Sequence, residues 1–480
     1  MSLITSPYSN VPNELVAEFG QFLDLADAMK HTRVDKRNNQ HSLIGQAEIR
    51  VSGDLVGEAF SHMQPSRFPN VETFVIAEAG WANPYPHEVA ELKIKGQVTN
   101  YTFEYARDMP SDFPNQVFAS VDSVKRVMIQ YSAKEDPSAT GVLSPESKAH
   151  IQGLVELNFH GSLAPYPALA DMLDGLRTLT SVDLCHQSVN EQIFHELTQN
   201  LALTHLNLGS SRYNSANGMD GYAILSGCKS LQSFTAGAEM TEDSLIAILT
   251  ENPDLRDLDL SHCDDNIVTD RVLATLANHN EKLNKLVLPH MLHSPITDEG
   301  FLSFTSAAKF LRSVSLNNLD GISSSALAKG LKNLENLTEL KFSRELDDEV
   351  MGAIATKIKL EALSIAHCST SEAGLLALRS LVNLEQLNVN GNFYINDQTA
   401  CGFIDHLPKL RTLLMDRWKS DLSAATLQHI RNKMDNGTSK LEVLSVGLSS
   451  YFTFDDLHST LGKSAQNPLG LQSLFETDWS

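Results

Sequence analysis

Basic residues are scarce in this chain. Its 480 residues hold 37 Lys and Arg against 59 Asp and Glu, a formal charge of −22 at pH 7. Nucleic acid and anionic lipid both reward Lys and Arg, so neither is expected as a partner; an acidic solvated surface or a basic protein partner fits better. Cysteine is also sparse. Cys185, Cys228, Cys263, Cys368 and Cys401 form no CxxC pair, which fits reduced thiols in a cytosolic protein rather than a disulfide framework. No run approaches the ~18 apolar residues of a membrane span. Met1 to Asn13 carry neither the basic nor the apolar stretch of a secretory signal, so a cytoplasmic location is expected. Gly-rich phosphate loops and Gly-x-Ser-x-Gly are missing. His290-Met291-Leu292-His293 lacks an acidic or third ligand at useful spacing, and no metal or other cofactor is expected.

What the chain has in abundance is one phrase, Leu-x-x-Leu-x-Leu with tolerant aliphatic positions. It starts at Leu154, Leu179, Leu203, Leu231, Leu255, Leu283, Leu311, Leu337, Leu360, Leu384, Leu410, Leu441 and Leu471, a mean period of about 26 residues. One copy means little. Thirteen at near-regular intervals define a repeat array, the last of them breaking the phrase with Glu476 as a terminal capping unit does. The alternating Leu-x-Leu reads as a strand with one face inward. No unit closes a core alone, whereas stacked units bury the leucines continuously.

The second half of each period reads as a helix. Ile296-Thr297-Asp298-Glu299-Gly300-Phe301 offers a hydroxyl cap, acids in the first turn and then apolar residues at helical spacing. Thr241-Glu242-Asp243, Val268-Thr269-Asp270, Ser371-Glu372 and Phe454-Asp455-Asp456 repeat the device. The expected fold class is α/β, a solenoid of strand, turn and convex-side helix.

These units resemble leucine-rich repeats. Cys263 and Cys368, each three positions after the last strand aliphatic, are similar to the marker of the cysteine-containing subclass, though only these two units carry it. The regular array is expected over 151–480, as about thirteen units. Residues 41–150 read as irregular leading repeats, through Val71-Phe74-Ile76, Val89-Leu92-Ile94 and Val124-Val127-Ile129; a small separate α+β segment is the alternative.

Residues 1–40 are of another kind. Pro12 suits a first helical position, Leu15, Phe19, Phe22 and Leu23 share a helical face, and a second short helix begins near Ala26. So small a segment cannot bury that surface within itself. The order Val11-Pro12-x-Glu14-Leu15, then Leu23-Asp24, Asp27, Met29, Val34 and Lys36-Arg37 resembles the F-box. Phe19-Gly20 and Asn38-Asn39 depart from the family's aliphatic pair and its tryptophan. The resemblance implies a substrate receptor of a cullin–RING ubiquitin ligase, with Val11, Pro12, Leu15, Val16, Leu23 and Met29 against the Skp adaptor and the repeats holding an unknown protein substrate. Such a receptor acts by proximity and is no enzyme. Since the repeats reach Leu474, the C-terminal cysteine domain of bacterial leucine-rich ligases is not expected. Two other readings stand: a protein-binding scaffold or inhibitor whose first helices only cap the solenoid, and a bacterial effector that borrows a host ligase from the host cytoplasm.

Side chains between the strand leucines are expected on the concave face. Asn158, Asp183, Asn207 and Asp259 form one polar column, with Glu156, His205 and Asp257 beside it. Later units place Phe393 and Tyr394, Arg417 and Trp418, then Tyr451 and Phe452 near successive turns. Arg and aromatics dominate binding energy where they cluster, which nominates Tyr394, Arg417, Trp418 and Tyr451 with Asp183, Asn207 and Asp259 as substrate-binding residues. Phe393 and Phe452 suit turn packing equally well. His262-Cys263 and His367-Cys368 recur at one repeat position and read as turn residues rather than Cys/His nucleophiles.

Overall fold

The structure, a computed structural model, describes residues 48–52, 73–77, 99–107, 124–132, 143–161, 168–214, 220–264, 266–290, 295–317, 319, 321–416 and 422–446. The F-box-like residues 11–37 and the last unit, from Leu471, lie outside them. The chain divides into two units, Met1–Leu231 and Gln232–Ser480.

In the first unit, β1 (Glu48–Ser52), β2 (Thr73–Ala77), β3 (Asn100–Arg107), β4 (Arg126–Ser132), β5 (Glu156–Gly161) and β6 (Ser181–Asp183) pair in chain order, all parallel. β7 (Ser188–Val189) and β9 (Arg212–Tyr213) form a small second sheet, and β8 (His205–Asn207) pairs with β6. Helices α1 (Pro145–Ile151), α2 (Ala168–Leu173) and α3 (Glu191–Thr198) make the return crossings. β2 and β4 fall on two of the expected aliphatic phrases. The strand between them does not: β3 lies at 100–107, and Val89-Leu92-Ile94 is outside the described residues. β3 alternates Tyr101, Phe103 and Tyr105, β-favouring aromatics that an aliphatic template passes over.

The second unit alternates strand and helix. Its elements are β10 (Ser233–Thr235), α4 (Glu242–Glu251), β11 (Asp257–Asp259), α5 (Asp270–His279), β12 (Lys285–Val287), α6 (Asp298–Ala307), β13 (Ser313–Leu316) and α7 (Ser324–Asn333). Then come β14 (Glu339–Phe342), α8 (Asp348–Ala355), β15 (Ala362–Ser364), α9 (Glu372–Ala377), β16 (Gln386–Asn388), α10 (Asp397–His406), β17 (Thr412–Met415), α11 (Ala424–Asp435) and β18 (Val443–Val446). Each strand pairs in parallel with the next. The architecture is an α/β leucine-rich-repeat solenoid.

The leucine phrase sets the register. Leu258, Leu286, Val314, Leu340, Leu363, Leu387, Leu413 and Leu444 are successive partners across β11–β18, and all are buried. Burying each such side chain is worth about 1.5–3 kcal/mol, and the stack makes that burial mutual. At each strand start one carbonyl holds two successive N–H groups of the next strand. Gln232 O accepts from Arg256 N and Asp257 N at 2.8 and 3.0 Å, and Arg256 O from Asn284 N and Lys285 N at 2.7 and 2.9 Å.

Past β6, β8, β15 and β16 the chain turns inward on a repeated device. His186, Ser210, His367 and Gly391 adopt left-handed backbone, with φ of 60, 53, 57 and 72°. The residue after each, namely Gln187, Ser211, Cys368 and Asn392, is buried. Cys368 and Cys263 direct their thiols at the previous repeat, toward Phe342 O and Gly237 O at 3.6 Å. Asn392 Nδ2 fills the same role, donating to Ile365 O at 2.8 Å. Gly391 has a second reason to lack a side chain, because a Cβ there would lie 2.3 Å from His367 Nδ1.

One period departs from the expected helix: Tyr222–Gly227 is a single 3-10 segment. It starts from Gly221, which offers no capping side chain, whereas α4 to α11 each begin with a Thr, Ser, Asp or Asn that accepts a backbone N–H. Asp220 Oδ1 instead accepts the first N–H, from Tyr222, at 2.9 Å.

Candidate protein-binding site

The strand residues that flank each buried leucine form two columns on the open face of each sheet. In the first unit, Asn158, Asp183 and Asn207 are register partners, with Glu156, Ser181 and His205 alongside. Asn207 Nδ2 donates to Asp183 Oδ2 at 3.0 Å. The other oxygens work locally: Asp183 Oδ1 accepts Cys185 N and Asn207 Oδ1 accepts Gly209 N, both at 2.9 Å. These bonds close turns at the strand ends and leave both side chains half-exposed.

Asp259 repeats the motif in the second unit, its Oδ1 accepting Ser261 N at 2.8 Å, as does Asn388 with Asn390 N at 3.0 Å. Beyond Asp259 its column reads Val287, Ser315, Lys341, Ser364, Asn388, Leu414 and Ser445. The neighbouring column runs Asp257, Lys285, Ser313, Glu339, Ala362, Gln386, Thr412 and Val443. The face is therefore charged at β11–β14 and then becomes a floor of hydroxyl and amide side chains interrupted by Ala362, Leu414 and Val443, with Ser364, Leu414 and Ser445 buried in it.

Two groups at or beside this face, Lys341 in β14 and Asp416 just past β17, are electrostatically displaced. Burial pulls the Lys341 ammonium below its ordinary value, against the opposing pull of Asp259 and Glu339. Burial likewise pushes the Asp416 carboxyl up, although the Ser445 hydroxyl donates to it and holds it back. Lys341 was missed in the sequence because the search followed acids and amides; its signal was the outward position between Leu340 and Phe342.

The aromatic candidates stand apart from this floor. Phe393 and Tyr394, 62% and 54% exposed, lie between β16 and α10 at the strand-to-helix edge, with Tyr394 O accepting from Thr399 Oγ1 at 3.4 Å. Arg417, Trp418 and Tyr451 lie outside the described residues, as do Phe452 and the adaptor candidates Val11, Pro12, Leu15, Val16, Leu23 and Met29.

The four buried thiols, Cys185, Cys228, Cys263 and Cys368, are all displaced upward. Burial raises all the displaced ones, to about 11 at Cys185 and about 12 at Cys228 and Cys368, and a raised thiol is the unreactive form. Among the described residues no group of three His, Cys, Asp or Glu could hold a metal ion, and no helix is long and apolar enough to cross a membrane.

No protein-family model matches this chain. No curated protein matches it either. Solved structures with some likeness include an internalin (inlF) of Listeria monocytogenes, 15% identical over 73% of this chain and 87% of that one, with a TM-score of 0.44. The Rad7–Elc1 complex of yeast is 16% identical over 65% of this chain and 80% of that one, at 0.46. The Drosophila Toll–Spätzle complex is 13% identical over 88% of this chain and 53% of that one, at 0.44. The repeat assignment rests on the chain's own leucines and strands.

Proposed function

We propose that this chain is a non-catalytic recognition subunit of a cullin–RING ubiquitin ligase: the repeats hold a target protein and residues 11–37 engage the Skp adaptor. The recognition half is carried by one observation, the two columns of largely polar strand side chains, most of them half-exposed over β11–β14, kept in register beside a continuous buried aliphatic row. Parallel strands about 4.8 Å apart present such columns as a stiff template, and stiffness lowers the entropic cost of holding a partner. Asp183 and Asn207 in the first unit, and Asp259 in the second, are its polar contacts; Tyr394, with Arg417, Trp418 and Tyr451, supplies the aromatic ones.

The ligase half rests on sequence alone, on the apolar face of Leu15 and Leu23 and on Val11-Pro12. It also implies action in the cytoplasm, a host's cytoplasm if the chain is an effector. A pull-down with purified Skp adaptor tests it, comparing the full chain with Leu15→Asp/Leu23→Asp. Capture by the wild type and loss in the variant, with equal melting temperatures, is expected. A wild-type chain that captures no adaptor leaves only a protein-binding scaffold, the reading in which the double variant instead destabilises the solenoid.

A further inference from the structure

The edge of the second unit opposite Phe393 and Tyr394 carries exposed apolar residues and lysines side by side. There the helices end and the chain turns back into strands. Phe310, Ile358 and Val382 stand 63%, 59% and 46% exposed in those turns. Exposed lysines accompany them: Lys309 beside Phe310, Lys359 beside Ile358, and Lys409 and Lys440 in the turns that follow. From 309–310 to 439–440, Glu335 is the one acid at these paired turn positions. Lysines near helix C-termini complement the dipole wherever they occur. Large apolar side chains held in water have no such reason.

We propose that this edge docks on an anionic phospholipid surface, with Phe310, Ile358 and Val382 entering the headgroup boundary and Lys309, Lys359 and Lys409 meeting lipid phosphates and carboxylates. The pairing of exposed apolar residues with cations is that of interfacial membrane contacts. The type of cation separates lipid from protein: protein interfaces are enriched in Arg, Tyr and Trp and depleted in Lys, whereas these positions carry Lys and no Arg. The chain's charge of −22 opposes this less than it first suggests. Acids such as Asp298 and Glu299 begin the helices that end at this edge, and a helix of ten residues such as α6 puts them about 15 Å away. That is nearly two Debye lengths of ~8 Å at physiological salt, so the local charge is set by Lys309, Arg312, Lys359, Lys409, Arg411 and Lys440 against Glu335, Glu361, Glu385 and Glu442, a basic balance.

Flotation of the full chain with vesicles tests the proposal, using phosphatidylcholine alone and phosphatidylcholine with about one third phosphatidylserine. Binding to the mixed vesicles only, weakening with salt, is expected. Each lysine removed lowers partition about fivefold, so Lys309→Glu/Lys359→Glu/Lys409→Glu abolishes it, and Phe310→Ser/Ile358→Ser lowers it severalfold. Lys285→Glu, the same charge change on the strand face, leaves it unchanged. If the triple variant fails to melt like the wild type, Lys309→Gln and Lys409→Gln replace it, since neither side chain has a bonded partner among the described residues. Absence of wild-type flotation, or flotation indifferent to these variants, overturns the proposal. So does capture by polyglutamate without vesicle binding, which assigns the edge to an acidic protein.

Discussion

Asp270, the first residue of α5, accepts both the backbone N–H of Thr297 at 2.9 Å and its hydroxyl at 2.7 Å, and Thr297 is the cap of the next helix. The same step recurs along the second unit. Asp298 accepts Ser323 N and Oγ at 2.7 and 2.6 Å, Asp348 accepts the Ser371 hydroxyl, and Glu372 accepts Asn396 Nδ2 at 2.8 Å. Asp397 accepts Ser423 N and Thr426 Oγ1 at 2.7 and 2.6 Å. Each helix thus fixes the start of its successor. Ser323→Ala removes a cap and this link together and is expected to cost about 1–2 kcal/mol, read as a lower urea midpoint.

Two helical glycines separate packing from propensity. A Cβ on Gly300 would lie 1.9 Å from Asp270 Oδ1, in the link just described, while one on Gly352 meets nothing within 4 Å. Helix propensity favours Ala over Gly by about 1 kcal/mol at both. Gly352→Ala is expected to raise the melting temperature. Gly300→Ala is expected to lower it, because the displaced carboxylate releases Thr297. Equal stabilisation by both would refute the linked-cap account.

Acid titration carries two opposite signs. The Ser323 hydroxyl and N–H hold Asp298 below its ordinary 3.8, and Asp397 is held low by Ser423 and Thr426 in spite of its burial. A lowered folded pKa gives stability that is complete above the unfolded value and is lost as pH falls through the folded one. Asp416 is raised by burial, so its ionisation opposes folding above its folded value and the penalty disappears in acid. Asp416→Asn is expected to raise the melting temperature at pH 7 and to change little below pH ~3.8. Asp298→Asn is expected to lower it at pH 7, with the difference shrinking below that point.

Much of this was legible in the leucines. The phrase beginning at Leu255 places Leu258 and Leu260 in the core, and the caps Thr241, Thr269, Thr297 and Ser371 stand at the helix starts their residue types suggest. Both follow from local rules. The inter-repeat bonds were not legible, because nothing local to Asp270 tells that its acceptor work is done 27 residues on. β3 escaped because Tyr101, Phe103 and Tyr105 replace aliphatics. The polar columns came out in the order expected in the first unit, yet the local duty of Asp183 and Asn207 at the strand ends depends on a turn geometry that composition does not carry.

Thiol reactivity checks the turn assignment of the His-Cys pairs. Cys228, Cys263 and Cys368 are buried with raised thiols, while Cys401 is partly exposed. In native protein Cys401 is expected to react first with an aromatic disulfide reagent, the other three only after unfolding. Fast native labelling of Cys263 or Cys368 would return those pairs to consideration as reactive centres.

Asp259 has two jobs, and two substitutions part them. Its Oδ1 closes the turn onto Ser261 N, while its charge faces the open side of β11. Asn keeps the acceptor and removes the charge; Ala removes both. Asp259→Asn is therefore expected to leave stability within about 0.5 kcal/mol of wild type, and Asp259→Ala to cost about 1 kcal/mol. Once a target is in hand, a charge contact predicts that both weaken binding alike, whereas weakening by Ala alone assigns Asp259 to the fold. Tyr394 gives the complementary case. Its ring is over half exposed, and the 3.4 Å bond recorded for it uses its backbone carbonyl. Tyr394→Ala should therefore leave the melting temperature unchanged and, if the strand-to-helix edge holds the target, lower affinity by at least tenfold, the loss typical of a buried aromatic contact.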